Sequence, residues 1–274
     1  MPNVLSNKVL LKTYKIMKKK LPCILMGLIL VCTSCSQPSA FGVPIENPTD
    51  ILKNFTSYWK YSNTFLKLSE DFIALDTSSN VVDKGFFLQQ LTSGKYLPLR
   101  LSSKETPCYK LFKLNNNVDK DIYNTIKNMG ATEYKNYQME GKPLPMFNYV
   151  DIDGKIFNHV TTKDKIVVIK CWFIRCHKCI EEMPALNKLV NLNKNKNDIV
   201  FISIALDKED ELRNFLKKTK FNFSIVANQQ EYLEFFLNVN IYPTYLIINK
   251  NGLIAKVVNS YEELEFALKK ETLK

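Results

Sequence analysis

The chain has 274 residues, 46% hydrophobic and 24% charged, a balance that excludes a disordered chain and a membrane-integral bundle and allows one large domain or two ordinary ones. Its formal charge of +11 is unevenly placed: residues 1–34 hold Lys8, Lys12, Lys15, Lys18, Lys19 and Lys20 with no acid, which leaves +5 on the remainder. There lysine is interspersed with Asp and Glu, with no arginine-rich helix or basic tail, so the reading is a solvated surface and no nucleic-acid partner.

At the N-terminus, Lys18-Lys19-Lys20 precedes an apolar stretch over residues 21–31, the proportions of an export signal and too short to span a bilayer comfortably. Cys32-Thr33-Ser34-Cys35 follows, then the polar, turn-rich residues 36–39. Small residues ahead of a cysteine resemble a bacterial lipoprotein processing site. Residues 1–34 are therefore expected to be a lipoprotein-type signal peptide and Cys35 the lipidated first residue, which anchors the protein to a bacterial membrane, inner or outer, facing the periplasm. Cys32, where such a signal usually has Leu, keeps an ordinary signal or uncleaved anchor as the alternative. Met17 is the expected true start, because a signal counted from there has conventional proportions.

Residues 35–50, with Pro38, Pro44 and Pro48, read as a tether. Residues 55–76 carry aromatic and aliphatic residues in short segments and read as strands. A short helix over 84–91 closed by Gly94, alternating strands over 95–101 and 109–114, and a helix over 119–139 complete a small α+β domain, residues 51–140, of unknown role. Gly141-Lys142-Pro143-Leu144-Pro145 marks the boundary to a second domain, 141–274. A hairpin turns at Asp151-Ile152-Asp153-Gly154. Then come a buried strand over 166–172, a helix over 177–192, a second apolar strand over 199–206, a helix over 209–218, a strand over 223–227 and a helix over 230–237. Strands over 244–248 and 253–258 join at Asn251-Gly252, and an amphipathic helix over 261–270 closes the chain. This order describes a mixed sheet with helices on its faces.

The chemistry concentrates at Cys176-His177-Lys178-Cys179, where the strand hands over to the helix. Unpaired amides and the helix dipole favour a thiolate at the exposed end of that turn, Cys176, and leave Cys179 shielded about one turn further in. His177 and Lys178 can add positive charge beside the sulfur. Such an asymmetric pair suits dithiol exchange, in which one thiolate attacks a partner disulfide and the second thiol resolves the mixed disulfide. A zinc site lacks ligands, since His159 and His177 are the only histidines and no second C-x-x-C exists; no metal and no cofactor is expected. Cys171 and Trp172 read as core, Phe173 as core or rim, Cys108 as a plain thiol and His159 as a polar hairpin residue.

The segment from Met146 onward resembles the thioredoxin-like domain of the extracytoplasmic TlpA/ResA group of thiol:disulfide oxidoreductases. The residues that carry this are the hairpin from Pro145 to Lys155, the C-x-x-C-x-x-E-x-P run from Cys176 to Pro184, and Tyr242-Pro243-Thr244-Tyr245 with the following Leu246 to Gly252. The resemblance implies a thioredoxin-like mixed sheet, Cys176 as attacking cysteine, Cys179 as resolving cysteine, Glu182 as a tuner of proton transfer, and Pro243, after a cis peptide bond, as a wall of the substrate groove beside Tyr242. For Glu182 a solvated helix-face charge is the alternative. Arg175 stands where the group commonly has Trp, and His177-Lys178 is more basic than its usual central pair, so both bear on redox potential, as does Tyr242 ahead of the proline. The reading is a membrane-tethered periplasmic reductase of disulfides in exported proteins, recharged by a membrane or periplasmic electron donor. An oxidase or isomerase of the same fold, or a binding module without catalysis, are the alternatives; a peroxiredoxin would need a Pro-x-x-x-Thr-x-x-Cys loop that residues 172–175 do not provide.

Overall fold

The computed structural model describes residues 41–274. The signal segment, Met17, Cys35 and residues 36–40 of the expected tether lie outside them. Among the described residues no helix is long and apolar enough to cross a membrane.

The first half is built on α1 (Pro48–Ile51), α2 (Phe55–Phe65), β1 (Ile73–Leu75), β2 (Val81–Val82), α3 (Lys84–Leu91), β3 (Tyr96–Leu101), β4 (Cys108–Lys113) and α4 (Lys120–Met139). Its sheet runs in the order β2-β1-β4-β3, with β1 and β4 parallel and the other neighbours antiparallel. Two expectations are corrected. Residues 55–65 form a helix rather than strands: the Asn54 side chain accepts the Ser57 N–H at 2.9 Å, capping its start. Tyr58 and Tyr61, wholly buried, lie three apart, a helical spacing that outweighs the strand preference of aromatic residues. The expected tether is pinned in its described part, because Ile45 N–H donates to Arg100 O at 3.1 Å and Ser102 N–H to Val43 O at 2.8 Å. Pro44 between them faces Leu101 and fits because an edge position asks no N–H of it. Gly130 lets α4 approach α3, since a Cβ there would lie 2.6 Å from the Leu91 backbone.

The second half contains the hairpin β5 (Asn148–Val150) and β6 (Ile156–Asn158), then β7 (Ile166–Trp172), α5 (His177–Glu181), α6 (Met183–Asn193), β8 (Ile199–Ala205), α7 (Glu209–Leu216), β9 (Ser224–Val226), a π-helical segment Tyr232–Phe236, β10 (Thr244–Ile248), β11 (Ile254–Val258) and α8 (Tyr261–Glu271). The sheet order is β11-β10-β7-β8-β9. Strands β7, β8 and β9 are parallel, while β10 runs antiparallel to both β7 and β11, giving the mixed sheet flanked by helices that the sequence implies. Two local details differ. The helix expected over 177–192 is interrupted between α5 and α6, because Pro184 in the first turn of α6 has no N–H for the carbonyl four residues back. The helix expected over 230–237 is a wider, π-type segment.

Strand β7 is buried along its whole length, and its side chains alternate between two cores. Ile166, Val168 and Trp172 face one, with Cys176, Cys179, Leu186, Leu264 and Leu268. Val167, Ile169 and Cys171 face the other, with Phe147, Tyr149, Leu233 and Leu237.

Candidate functional site

At the C-terminal end of β7 the chain turns through Phe173, Ile174 and Arg175 into α5. The turn is held at both ends: Ile174 N–H donates to Asp207 Oδ2 at 2.8 Å, and Cys176 N–H to Phe173 O at 3.1 Å. Burial pushes the Asp207 carboxyl up from its ordinary value and the Ile174 bond pulls it back. Cys176 is the N-cap of α5, its Sγ accepting the Cys179 N–H at 3.2 Å. The two cysteines form a disulfide with Cα atoms 5.2 Å apart. Cys176 retains 7% of its surface and Cys179 none, so an incoming thiolate meets the first sulfur and not the second.

Arg175, His177 and Lys178 are exposed around the pair. The Lys178 ammonium lies 3.6 Å from Glu182 Oε1, so part of its charge is matched by that carboxylate. Glu182 is 5% accessible, which removes the reading of a solvated helix-face charge. Tyr242–Pro243 is a cis peptide bond. Register sets this bend at the end of the sheet from which the pair's turn leaves: Thr244 of β10 sits opposite Cys171 of β7, so Pro243 and the turn after Trp172 share that end. Phe173 and Tyr242 meet edge to face at 5.4 Å. Asn259 holds the bend, donating to Pro243 O at 3.1 Å and Thr244 Oγ1 at 2.8 Å, and itself accepts from Asn136 of α4 at 2.7 Å. Lys135 of the same helix donates to Asn240 at 3.0 Å. The first half of the chain thus braces the Tyr242–Pro243 bend through Asn259 and Asn240.

Sequence reasoning missed what lies beneath. Lys170, counted within an apolar strand, is wholly buried; its Nζ donates to Cys179 O at 2.8 Å and to the Tyr245 hydroxyl at 3.2 Å. The Tyr245 hydroxyl donates to Glu182 Oε2 at 2.5 Å, and Tyr261 N–H donates to Glu182 Oε1 at 3.2 Å. Burial and then the Glu182 contact raise the Tyr245 phenol, so it keeps its hydrogen. Burial draws Lys170 down from 10.5 to about 7, while Glu182 opposes the shift. The available signal was a single lysine in an otherwise apolar run, since a buried ammonium demands partners. Asp207 and Asn259 had no such signal.

The remaining expectations sort simply. Trp172 is core, packed against Phe215 and Phe221. Cys171 and Cys108 are buried free thiols, both pushed up by burial, which keeps them unreactive. His159 is exposed on its hairpin, its ring 4.7 Å from Phe147. Cys176, Cys179 and Glu182 are joined through Lys170 and Tyr245, Tyr242 meets the turn at Phe173, and Arg175, His177 and Lys178 are exposed around the pair.

A family model described as AhpC/TSA matches residues 141–257. The thiol-disulfide oxidoreductase ResA of Bacillus thuringiensis subsp. konkukian is 30% identical over 154 residues, covering 53% of this chain and 88% of that protein. ResA of Bacillus subtilis is 28% identical over 120 residues, 43% of this chain and 66% of that protein. Among solved structures, the thioredoxin domain of a Bacteroides vulgatus thiol-disulfide oxidoreductase aligns at 21% identity with a TM-score of 0.43, covering 48% of this chain and 96% of that one.

Proposed function

The chain belongs to the ResA-like, thioredoxin-fold thiol:disulfide oxidoreductases, and from that premise we propose that Cys176–Cys179 is its working dithiol, used to reduce disulfides in exported proteins. One observation carries this reading: the two sulfurs are bonded to each other at the mouth of the fold, one accessible and its partner sealed.

In the reduced form the Cys176 thiolate attacks one sulfur of a substrate disulfide. That bond breaks, the other substrate sulfur leaves as a thiolate and is protonated, and Cys176 is held in a mixed disulfide. Cys179 then gives up its proton and attacks Cys176 Sγ; the second substrate sulfur leaves and is protonated. Two electrons have moved from the pair to the substrate, and the pair is a disulfide again until a dithiol donor at the membrane or in the periplasm reduces it. Glu182, buried on the turn that follows Cys179, is the group to take the Cys179 proton. Pro243 and Tyr242 form the wall along which the substrate chain lies. Arg175, His177 and Lys178 favour the Cys176 thiolate and shift the couple in the oxidising direction, which keeps oxidase or isomerase chemistry as a second reading. Lipid on Cys35 would hold the protein on the periplasmic face of a membrane.

Insulin reduction tests the assignment: Cys176→Ser should abolish it, and undiminished activity would sink the proposal. The potential of the pair decides direction, with a value near about −270 mV supporting reduction and one near about −120 mV supporting oxidation. Radiolabelled palmitate incorporated by the wild type and not by Cys35→Ser is the expected result for the anchor.

A further inference from the structure

Three adjacent strands place a polar side chain at one level of the face that carries the dithiol. Tyr245 of β10 pairs with Lys170 of β7, and Lys170 pairs with Ser203 of β8. All three are buried on the face that packs against α5 and α6, the helical arm that carries Cys179 and Glu182, where the rest of the face is aliphatic or aromatic. An ammonium is costly to bury unless its donors and its charge are matched, and here they are matched in part. Two donors go to the Cys179 carbonyl and the Tyr245 hydroxyl, and the charge lies 5.6 Å from the Phe221 ring centre. Tyr245 passes a hydrogen on to Glu182. A line of cation, phenol and carboxylate thus closes around the turn that holds the inner cysteine.

We propose that Lys170 is a positioning residue for the resolving half of the reaction: it holds Glu182 through Tyr245 and places a positive charge beneath Cys179 that favours the thiolate attacking the mixed disulfide. The proposal rests on the roles given above to Cys176 and Cys179. The two sulfurs have different needs. Cys176 has the amide end of α5 and the basic rim, whereas Cys179 has no accessible surface, and burial of a thiol opposes its ionisation. Lys170 is the buried cation bonded to the Cys179 backbone. The groups facing it are Cys179 and Glu182 from the helical arm, Tyr245 from β10 and Cys171 beside it on β7, with Lys178 and Tyr261 beyond Glu182. Burial works against the Lys170 charge and a thiolate forming nearby favours it, so proton loss at Cys179 and protonation of Lys170 support each other.

The two half-reactions separate when the reduced protein meets excess 5,5′-dithiobis(2-nitrobenzoate) in a stopped-flow instrument. Attack by Cys176 releases one thionitrobenzoate, and resolution by Cys179 releases the second. Lys170→Met should slow the second release about tenfold and move its pH profile up by about one unit, with the first release within about twofold of wild type. Lys170→Gln, which keeps a donor for the Cys179 carbonyl without the charge, should behave as Lys170→Met. Tyr245→Phe, which cuts the link to Glu182 and leaves the ring, should slow the second release by a smaller factor, and it decides the matter if the Lys170 variants do not fold. An unchanged second release, equal slowing of both releases, or wild-type rates in Lys170→Gln would overturn the role of Lys170. Absence of the first release from the wild-type protein would instead overturn the assignment of the dithiol itself.

Discussion

The two faces of the five-stranded sheet are made from the same strands and differ in kind. On one, Val167, Ile169 and Cys171 of β7 lie with Ile202, Ile204, Leu246 and Ile248 in a face that is apolar along the strands but for Thr244 at the start of β10. On the other, one residue along each strand, Lys170, Ser203 and Tyr245 interrupt an equally buried face. The hydrophobic effect alone favours the first arrangement, at about 25 cal/mol per Å² of apolar surface. The second is held at the cost of burying charge, and it lies under the cysteines. Alternation along an extended chain separates the two environments by a single residue, so one strand both seals the core and carries the polar row.

That contrast can be broken from either side. The largest effect on stability is expected from Ile169→Ala on the apolar face, about 3 kcal/mol by urea unfolding, with the first thionitrobenzoate release of the folded protein unchanged. Glu182→Gln should reverse that pattern. It keeps the shape of the side chain and removes its basicity, so the second release should slow about tenfold or more while the urea midpoint moves little. A smaller effect should appear in the pH dependence of stability. Lys170 titrates near 10.5 when unfolded and at about 7 in the fold, so between those values the unfolded chain binds more protons and stability rises with pH. Comparing the wild type with Lys170→Met at pH 8 and pH 9 isolates this contribution from Lys84, which burial also lowers. The wild type should gain about 1 kcal/mol more than the variant over that unit; parallel curves would show that Lys170 does not change its protonation between the two states. The smallest effect belongs to Ser203→Ala. Its hydroxyl has no partner among the described residues, so its removal should shift stability by no more than about 0.5 kcal/mol and leave both releases unchanged.

Much of the site was legible because its signals are local. A C-x-x-C at a strand-to-helix turn needs only neighbours in sequence to be recognised, and the apolar run of β7 identifies a buried strand by itself. The Asn251-Gly252 turn was readable for the same reason, with Gly252 at φ 76°. Failures occurred where a local preference was overruled or a partner lay far away. Residues 55–65 have aromatic content suited to strands, yet the cap at Asn54 and the packing of Tyr58 and Tyr61 make them a helix. The segment 43–45 looked like tether because its partner, β3, is supplied only by folding. Lys170 and Tyr245 are 75 residues apart, and nothing in either neighbourhood announces the other.

What the sequence determined by itself was therefore the class of chemistry and the scaffold that displays it: an accessible and a shielded cysteine at a helix start, a proline bend downstream, and alternating strands to hold both. Tertiary structure decided which charges those cysteines feel. Sheet register alone sets Tyr245 beside Lys170, and the fold of the helical arm over that face alone brings Glu182 down onto the tyrosine. Electrostatic strength depends on distance and on exclusion of water, and both are properties of the packed molecule rather than of the order of its residues.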